Sequence, residues 1–310
     1  MKRVMFDPLR TFKVLAVSAV ALLGMACSAA TAAPPAAAAP PAAQAGPAMW
    51  VVRDEDSTIY LFGTVHLMKP DKKWRTPRFE EAFNSADEIW LEINEGEDPA
   101  AMQGLIMQLG MDASNPLSKR LTPEQYARFE AAATKAGVPA AALDPMKPWM
   151  AGITLSFVPM MKAGYDPNAG IDNAIKAGGA AAAKPIRAFE TAEQQLRFFD
   201  SLPNDVQVEF LMSSIDEMDE SAGMLDAMVD YWVIGDTKGL ERELVSEMKD
   251  KYPDLYKLLL VDRNTAWADT LAKRLEGKGV SFVAVGSAHL VGEDSVQHFL
   301  ARKGIKAERY

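Results

Sequence analysis

Cysteine and histidine are scarce in this 310-residue chain. Cys27 is the only cysteine, so the chain can form no internal disulfide. Three histidines are present, His66, His289 and His298. The HExxH, GxSxG, P-loop and CxxC motifs are all missing from the sequence, which excludes several common catalytic sites for hydrolysis.

Positive charge is also in short supply outside the N-terminus. Residues 1–48 contribute +3 to the formal net charge of -9 (Lys2, Arg3, Arg10 and Lys13 against Asp7), which leaves -12 on the remainder. A body this acidic repels polyanions. The charge therefore argues against nucleic acid or anionic lipid as a main partner.

No apolar run is long enough to span a membrane. The longest candidate, residues 14–25, has twelve uncharged residues after a basic stretch and precedes small residues, a pattern typical of an export signal. Ala30-Thr31-Ala32 offers a cleavage site that would release a soluble protein. Alternatively, Cys27 follows a lipobox-like segment and would carry a lipid anchor. We therefore expect an exported protein, periplasmic or membrane-anchored as a lipoprotein.

These features predict three segments. Residues 1–32 form a signal peptide, or a lipoprotein signal that ends before Cys27. Residues 33–48 are rich in alanine and proline and form a disordered tether, because they can bury little beyond methyl groups. Residues 49–310 form the folded domain.

The first part of that domain has the pattern of a βαβ unit. Two β-type runs, residues 50–53 and 58–62, flank a short polar turn and predict a hairpin. Residues 77–86 predict a helix with a proline in its first turn, and residues 89–93 predict a second core strand. A strand, a helix and a strand at this spacing indicate a partly parallel sheet.

The rest of the chain is mostly helical. Residues 98–183 predict a helical insertion that ends in a loose linker at Gly178-Gly179-Ala180. Strands are predicted at residues 185–190, 280–285 and 305–310, the last at a sheet edge, and the helical segment 205–234 is predicted to break near Gly223. The fold class is therefore α/β, with a central mixed, partly parallel sheet, flanking helices and a largely helical middle insertion.

Two matched Gly-x-x-His motifs, which we call the Gly-x-x-His phrases, occur in this histidine-poor chain. Gly63-Thr64-Val65-His66 and Gly286-Ser287-Ala288-His289 each follow an apolar strand and precede a leucine. Ligands of α/β sheets bind beyond the carboxyl ends of strands, so two strand ends would bring two imidazoles to one site. His298 lies on a late amphipathic helix and is predicted to be at the surface.

Carboxylates and a basic pair complete the candidate site. Glu92 and Glu190 lie in or at the end of predicted strands, and Arg263-Asn264 is the third element. Two imidazoles and a carboxylate are typical ligands of Zn²⁺, Mn²⁺ or Co²⁺, and such a metal activates water beside a second carboxylate. Without a metal, a histidine beside a carboxylate can act as the base.

Structural roles remain open for the same residues. Glu92 could face solvent by strand alternation, although an unpaired carboxylate would be costly to bury in its apolar run. Glu190 suits the N-terminus of the helix that follows it. Arg263 could form only a salt bridge with Asp262 or Glu190.

The chain resembles the TraB/GumN (TraB/PrgY/GumN) family, which is related to the Tiki metalloproteases. The resemblance covers residues 50–310 and is carried by ordered blocks at residues 61–67, 86–92, 146–149, 170–172, 189–196, 232–236, 263–268 and 285–292. It implies an α/β fold similar to erythromycin-esterase and ChaN-like proteins. It also implies a metalloprotease-like site in which His66, His289 and Glu92 hold a divalent metal, with Arg263 and Asn264 as neighbours.

Three functions follow as hypotheses. The first is an exported metal-dependent hydrolase, foremost a peptidase, in which His66, His289 and Glu92 bind the metal while Glu190 or Arg263 positions water or an oxyanion. The second is a non-enzymatic protein that sequesters a peptide or haem. The third is a metal-free, esterase-like hydrolase. For the two hydrolase hypotheses, the expected substrate is a peptide or a small molecule.

Overall fold

The computed structural model describes residues 46–94 and 99–310. The predicted signal peptide, Cys27 and all but the last three residues of the predicted tether lie outside the described residues. Within these two ranges, no helix combines the length and the apolar character that crossing a membrane requires.

One mixed sheet organises the described residues. Its strands are β1 (Met49–Arg53), β2 (Ser57–Thr64), β3 (Glu88–Ile93), β4 (Ile186–Glu190), β5 (Gly279–Gly286) and β6 (Ala307–Arg309). Their order across the sheet is β4-β3-β5-β2-β1-β6. Strands β4, β3, β5 and β2 are parallel, whereas β1 is antiparallel to both β2 and β6. The predicted hairpin, the partly parallel sheet and the C-terminal edge strand are confirmed.

The central strands are apolar because both faces of the sheet are covered by helices. Along β2, Tyr60 and Phe62 pack into the core on one face. Ile59 and Leu61 pack into the core on the other face, where Trp267 also lies. Successive side chains of a strand alternate between faces, so two buried faces produce an uninterrupted apolar run.

Helices flank the sheet and form the middle insertion. The first group is α1 (Pro77–Ser85), α2 (Pro99–Gly110), α3 (Leu117–Arg120), α4 (Pro123–Ala136), α5 (Ala140–Leu143), α6 (Pro148–Lys162) and α7 (Ile171–Ala181). The second is α8 (Ala192–Asp200), α9 (Asn204–Asp216), α10 (Ser221–Ile234), α11 (Thr237–Glu241), α12 (Glu247–Lys251), α13 (Pro253–Tyr256), α14 (Asp262–Leu275) and α15 (Val296–Arg302). Short 3-10 turns span Pro167–Ala169 and Ser287–Leu290, and π-helical turns span Arg242–Ser246 and Lys257–Val261.

The helical insertion has a core of its own. Phe129 of α4, Leu155 of α6 and Leu211 of α9 pack together away from the sheet. Helix α4 begins at a reciprocal capping box formed by Thr122 and Gln125, and Gly137 ends the helix in a left-handed conformation.

The linker predicted at Gly178-Gly179-Ala180 is wrong, because helix α7 runs through all three residues. A side chain at Gly179 would place its Cβ 2.4 Å from Ile89 Cδ1 on the sheet. The glycine therefore allows a helix to pack closely against β3, and this packing outweighs the low helix propensity of glycine.

The helix break predicted near Gly223 also falls elsewhere. Helix α9 ends at Asp216 and α10 begins at Ser221, so Gly223 lies inside α10. The chain turns instead at Glu217, whose carbonyl accepts the N–H groups of Glu220 and Ser221, both at 3.0 Å. A glycine inside a helix costs only about 1 kcal/mol, which packing can offset.

Candidate functional site

The carboxyl ends of the parallel strands converge, as the sequence predicts for an α/β sheet. In the β2–β5 pair, Thr64 lies beside Gly286, so the two Gly-x-x-His phrases run next to each other. The Ser287 hydroxyl donates to the Thr64 carbonyl at 2.8 Å and joins the phrases directly. Both histidines are thereby brought to the same edge of the sheet.

Gly286 marks the point where the side chains meet. An ideal Cβ on this glycine would lie 2.9 Å from Glu92 Oε1, 3.3 Å from His66 Nε2 and 3.7 Å from His289 Cδ2. Any larger residue would therefore fill the space between the three groups. We call this space the Gly286 cradle.

His66 is held from behind by a carboxylate. Its Nδ1 donates to Asp172 Oδ2 at 2.6 Å, while the Thr64 hydroxyl donates to Asp172 Oδ1 at 2.6 Å. Asp172 lies in the first turn of α7, which reaches His66 because Gly170 has no side chain: a Cβ there would lie 2.3 Å from the His66 carbonyl oxygen. The ring is fixed with Nε2 facing the Gly286 cradle.

His289 is held by a neutral amide instead. Its Nδ1 donates to Asn264 Oδ1 at 2.5 Å, and Asn264 Nδ2 donates to the Asp294 carbonyl at 2.7 Å, which fixes the amide orientation. On the other side, Arg263 Nη1 donates to His289 Nε2 at 3.1 Å. Because Nε2 accepts a hydrogen bond, His289 is neutral with its proton on Nδ1.

Arg263 joins the two carboxylates. It donates from Nη2 to Glu92 Oε2 at 2.7 Å and from Nε to Glu190 Oε1 at 2.8 Å. Gln195 Nε2 bridges the same carboxylates, and the Gly286 N–H donates to Glu92 Oε1 at 2.6 Å. Glu92 therefore faces the site and is 7% exposed, so the alternative of a solvent-facing glutamate is ruled out.

These partners set opposite charge states on the two histidines. Burial lowers the pKa of His66, but the charge and hydrogen bond of Asp172 outweigh burial and raise this pKa to about 9. Burial, followed by the positive charge of Arg263, lowers the pKa of His289 to about 3. Burial also opposes ionisation of Glu92, yet Arg263 and the histidines hold its pKa well below the ordinary value.

All six candidate site residues lie in one cluster. His66, Glu92, Arg263 and His289 touch one another or the Gly286 cradle, and Glu190 and Asn264 each contact one of these four. His298 is exposed, as predicted. Three further residues of the site are not predicted from the sequence: Asp172, Gln195 and Trp267. Trp267 Nε1 donates to Glu190 Oε1 at 3.0 Å. The block Gly170-Ile171-Asp172 was the one available signal for Asp172.

The predicted metal set does not fit as these side chains are placed. Within residues 46–94 and 99–310, no group of three or more histidine, cysteine, aspartate or glutamate side chains is arranged to hold a metal ion. His289 Nε2, the atom that would bind the metal, accepts a hydrogen bond from Arg263. The guanidinium charge at that position opposes a second cation.

The fold and the cluster define an α/β protein with a buried histidine–carboxylate–arginine site at the carboxyl edge of a parallel sheet. Residues 48–309 match the model of the TraB/PrgY/gumN family, and the chain belongs to that family. "Uncharacterized protein YbaP" of Escherichia coli (strain K12) is 24% identical over 243 residues, which cover 78% of this chain and 87% of that protein. "Uncharacterized protein YbaP" of Shigella flexneri matches equally. No solved structure matches the chain.

Proposed function

We propose that this chain is a hydrolase of amide or ester bonds, with a peptide as the leading candidate substrate, and that the bond is cleaved at the Gly286 cradle. One observation carries the proposal: Glu92 Oε1, His66 Nε2 and the His289 ring surround that space. The preference for a peptide rests on the relation to the Tiki metalloproteases, which stays a prediction.

Glu92 suits the role of general base in the reaction, and His66 suits the role of general acid. Glu92 is ionised because Arg263 stabilises its negative charge, so the carboxylate is in the form that accepts a proton from an attacking water. His66 carries a proton because Asp172 stabilises its positive charge, so Nε2–H can donate to the oxyanion or to the leaving group. Groups whose pKa values are pushed apart are a usual acid–base pair.

The remaining cluster residues position these two. Arg263 keeps Glu92 charged and oriented, and Glu190 in turn holds Arg263. Asn264 fixes the ring of His289, which forms one side of the cradle. We therefore assign Glu190, Arg263 and Asn264 as positioning residues.

Two features favour this assignment over the earlier hypotheses. The metal-dependent form needs His289 Nε2 as a ligand, but Arg263 donates to that atom. The esterase-like form needs a histidine as base, but His66 already carries its proton and His289 Nε2 is engaged. A carboxylate oxygen has two lone pairs, so Glu92 Oε1, which accepts the Gly286 N–H and lies beside the cradle, is the atom left to accept a proton. For the location, we propose an exported protein, anchored through Cys27 or released by cleavage after Ala32.

The test is peptide cleavage by the purified chain, followed by mass spectrometry with and without a chelator. We expect cleavage that survives chelation and falls by about 100-fold or more in kcat/KM in Glu92→Gln and His66→Gln. His298→Gln replaces an exposed histidine and serves as the control, with unchanged activity. Full activity in folded Glu92→Gln contradicts the proposal.

The same experiment separates the alternatives. Activity that a chelator abolishes and Mn²⁺, Co²⁺ or Zn²⁺ restores identifies the metal-dependent hydrolase. An intact peptide or haem that binds tightly, with no cleavage in any sample, identifies the sequestering protein.

A further inference from the structure

The guanidinium of Arg263 contacts two of the three side chains that are metal ligands according to the family resemblance. Arg263 Nη1 donates to His289 Nε2 at 3.1 Å, and Arg263 Nη2 donates to Glu92 Oε2 at 2.7 Å. An imidazole nitrogen and a carboxylate oxygen are the atoms that a divalent metal would use. Arg263 therefore supplies the positive charge that a metal would bring to these two ligands.

Arg263 is fixed in this position. Its Nε and Nη2 donate to Glu190, and its Nη1 also donates to the Leu259 carbonyl at 3.1 Å. Its guanidinium carbon lies 4.7 Å from the centre of the Trp267 ring and 5.6 Å from that of Phe198. The side chain is only 5% exposed, and these contacts hold it in the site.

Beside Arg263, one pair of these side chains already has nearly the spacing of two ligands on one metal ion. His289 Nε2 lies 3.8 Å from Glu92 Oε1. Two N or O ligand atoms on one tetrahedral metal ion are about 3.4 Å apart. A small movement of these two side chains would therefore let both atoms bind the same ion. His66 Nε2 faces the same cradle, and Asp172 and Asn264 hold the Nδ1 atoms of the two histidines as outer-shell partners of metal ligands do.

We propose that Arg263 takes the place of a metal ion in this chain, and that its removal uncovers a divalent-cation site made of His66, Glu92 and His289. The ions that fit are Zn²⁺, Mn²⁺ and Co²⁺, which accept imidazole and carboxylate ligands together. This inference is independent of the proposed hydrolysis because metal binding alone tests it.

The experiment measures bound metal in the purified chain after incubation with each ion and dialysis. Wild type is compared with Arg263→Met, which removes the charge, and with Arg263→Lys, which keeps it. We expect one ion per chain in Arg263→Met, bound about 100-fold or more tighter than in wild type, because a neighbouring positive charge has been removed. Arg263→Lys should bind as weakly as wild type, and Arg263→Met/His289→Ala should lose the gained ion.

Folding is followed separately, because Arg263→Met removes the guanidinium that pairs with Glu92 and Glu190. Circular dichroism with and without Zn²⁺ is the second readout. If Arg263→Met is unfolded, Zn²⁺ should restore its fold, and should fail to do so for Arg263→Met/His289→Ala. Two results overturn the proposal: wild type that binds one ion per chain and loses it in His66→Ala and His289→Ala, or an Arg263→Met variant that gains neither metal nor metal-dependent folding.

Discussion

His66 and His289 follow neighbouring strands in the same Gly-x-x-His phrase, yet their rings face different partners. Behind His66 lies the carboxylate of Asp172; behind His289 lies the amide of Asn264, and beside it the guanidinium of Arg263. The first ring carries a positive charge and the second is neutral. The phrase positions a histidine at a strand end, but residues far away in sequence decide its chemistry.

Removal of Arg263 should have the largest effect. Arg263→Met removes the guanidinium that pairs with the largely buried Glu92 and Glu190, and we expect a loss of about 4 kcal/mol in the free energy of unfolding without metal. Urea unfolding measures this loss. The matched control is Arg197→Met, whose exposed ion pair with Glu193 should contribute less than about 1 kcal/mol. Equal losses in both variants would contradict the central role of Arg263.

The charge on His66 should make stability depend on pH above neutrality. Its folded pKa is about 9 and its ordinary value is 6.5, so the folded state holds this proton more tightly. The stabilisation, about 3 kcal/mol, is fully present below pH 6.5 and is lost as the pH rises through about 9. Urea unfolding between these pH values measures it. His66→Gln should flatten this slope and the control His298→Gln should keep it; an unchanged slope in His66→Gln would refute the assignment.

Asp172→Asn should make His66 resemble His289. Without the carboxylate, burial dominates, and we expect the pKa of His66 to fall from about 9 to below its ordinary value of 6.5. NMR titration of the imidazole signals measures this change. Asp166→Asn is the control. Asp166 precedes the 3-10 turn Pro167–Ala169, close to Asp172 in sequence, but its side chain accepts hydrogen bonds from Asn168. A pKa of His66 that stays near 9 in Asp172→Asn would show that another group holds the proton.

Asn264→Asp is the reciprocal change and should have the smallest effect of the four. A carboxylate at this position would raise the pKa of His289 by about 1 to 3 units, while Arg263 continues to oppose protonation. The same NMR titration measures this increase. No upward shift in the folded variant would mean that the Nδ1 partner does not control His289.

The sheet and most of the cluster could be predicted because their signals are local. Apolar runs located β2, β3 and β5, and the ends of these strands carry His66, Glu92 and the Gly286 phrase. The contacts of Asp172, Gln195 and Trp267 could not be predicted, because each joins segments that only the fold brings together. The linker prediction at Gly179 was wrong for the same reason, because the role of this glycine depends on its contact with Ile89 in the sheet.

The metal hypothesis shows the limit of reasoning from residue types. Two histidines and a glutamate are suitable ligands, and the cluster does bring them to one edge of the sheet. Whether they bind a cation depends on the charge already present, and Arg263 donates to two of them. The sequence placed Arg263 in the site but gave no distance between its guanidinium and His289.

The most direct measurement is the protonation state of each imidazole, obtained by ¹⁵N NMR of the purified chain at neutral pH. Three histidines give three sets of ring signals, and His66→Gln, His289→Gln and His298→Gln assign them. The account predicts that both ring nitrogens of His66 carry protons, whereas His289 is neutral with its proton on Nδ1. Equal charge states for His66 and His289, or a charged His289 beside a neutral His66, would contradict it.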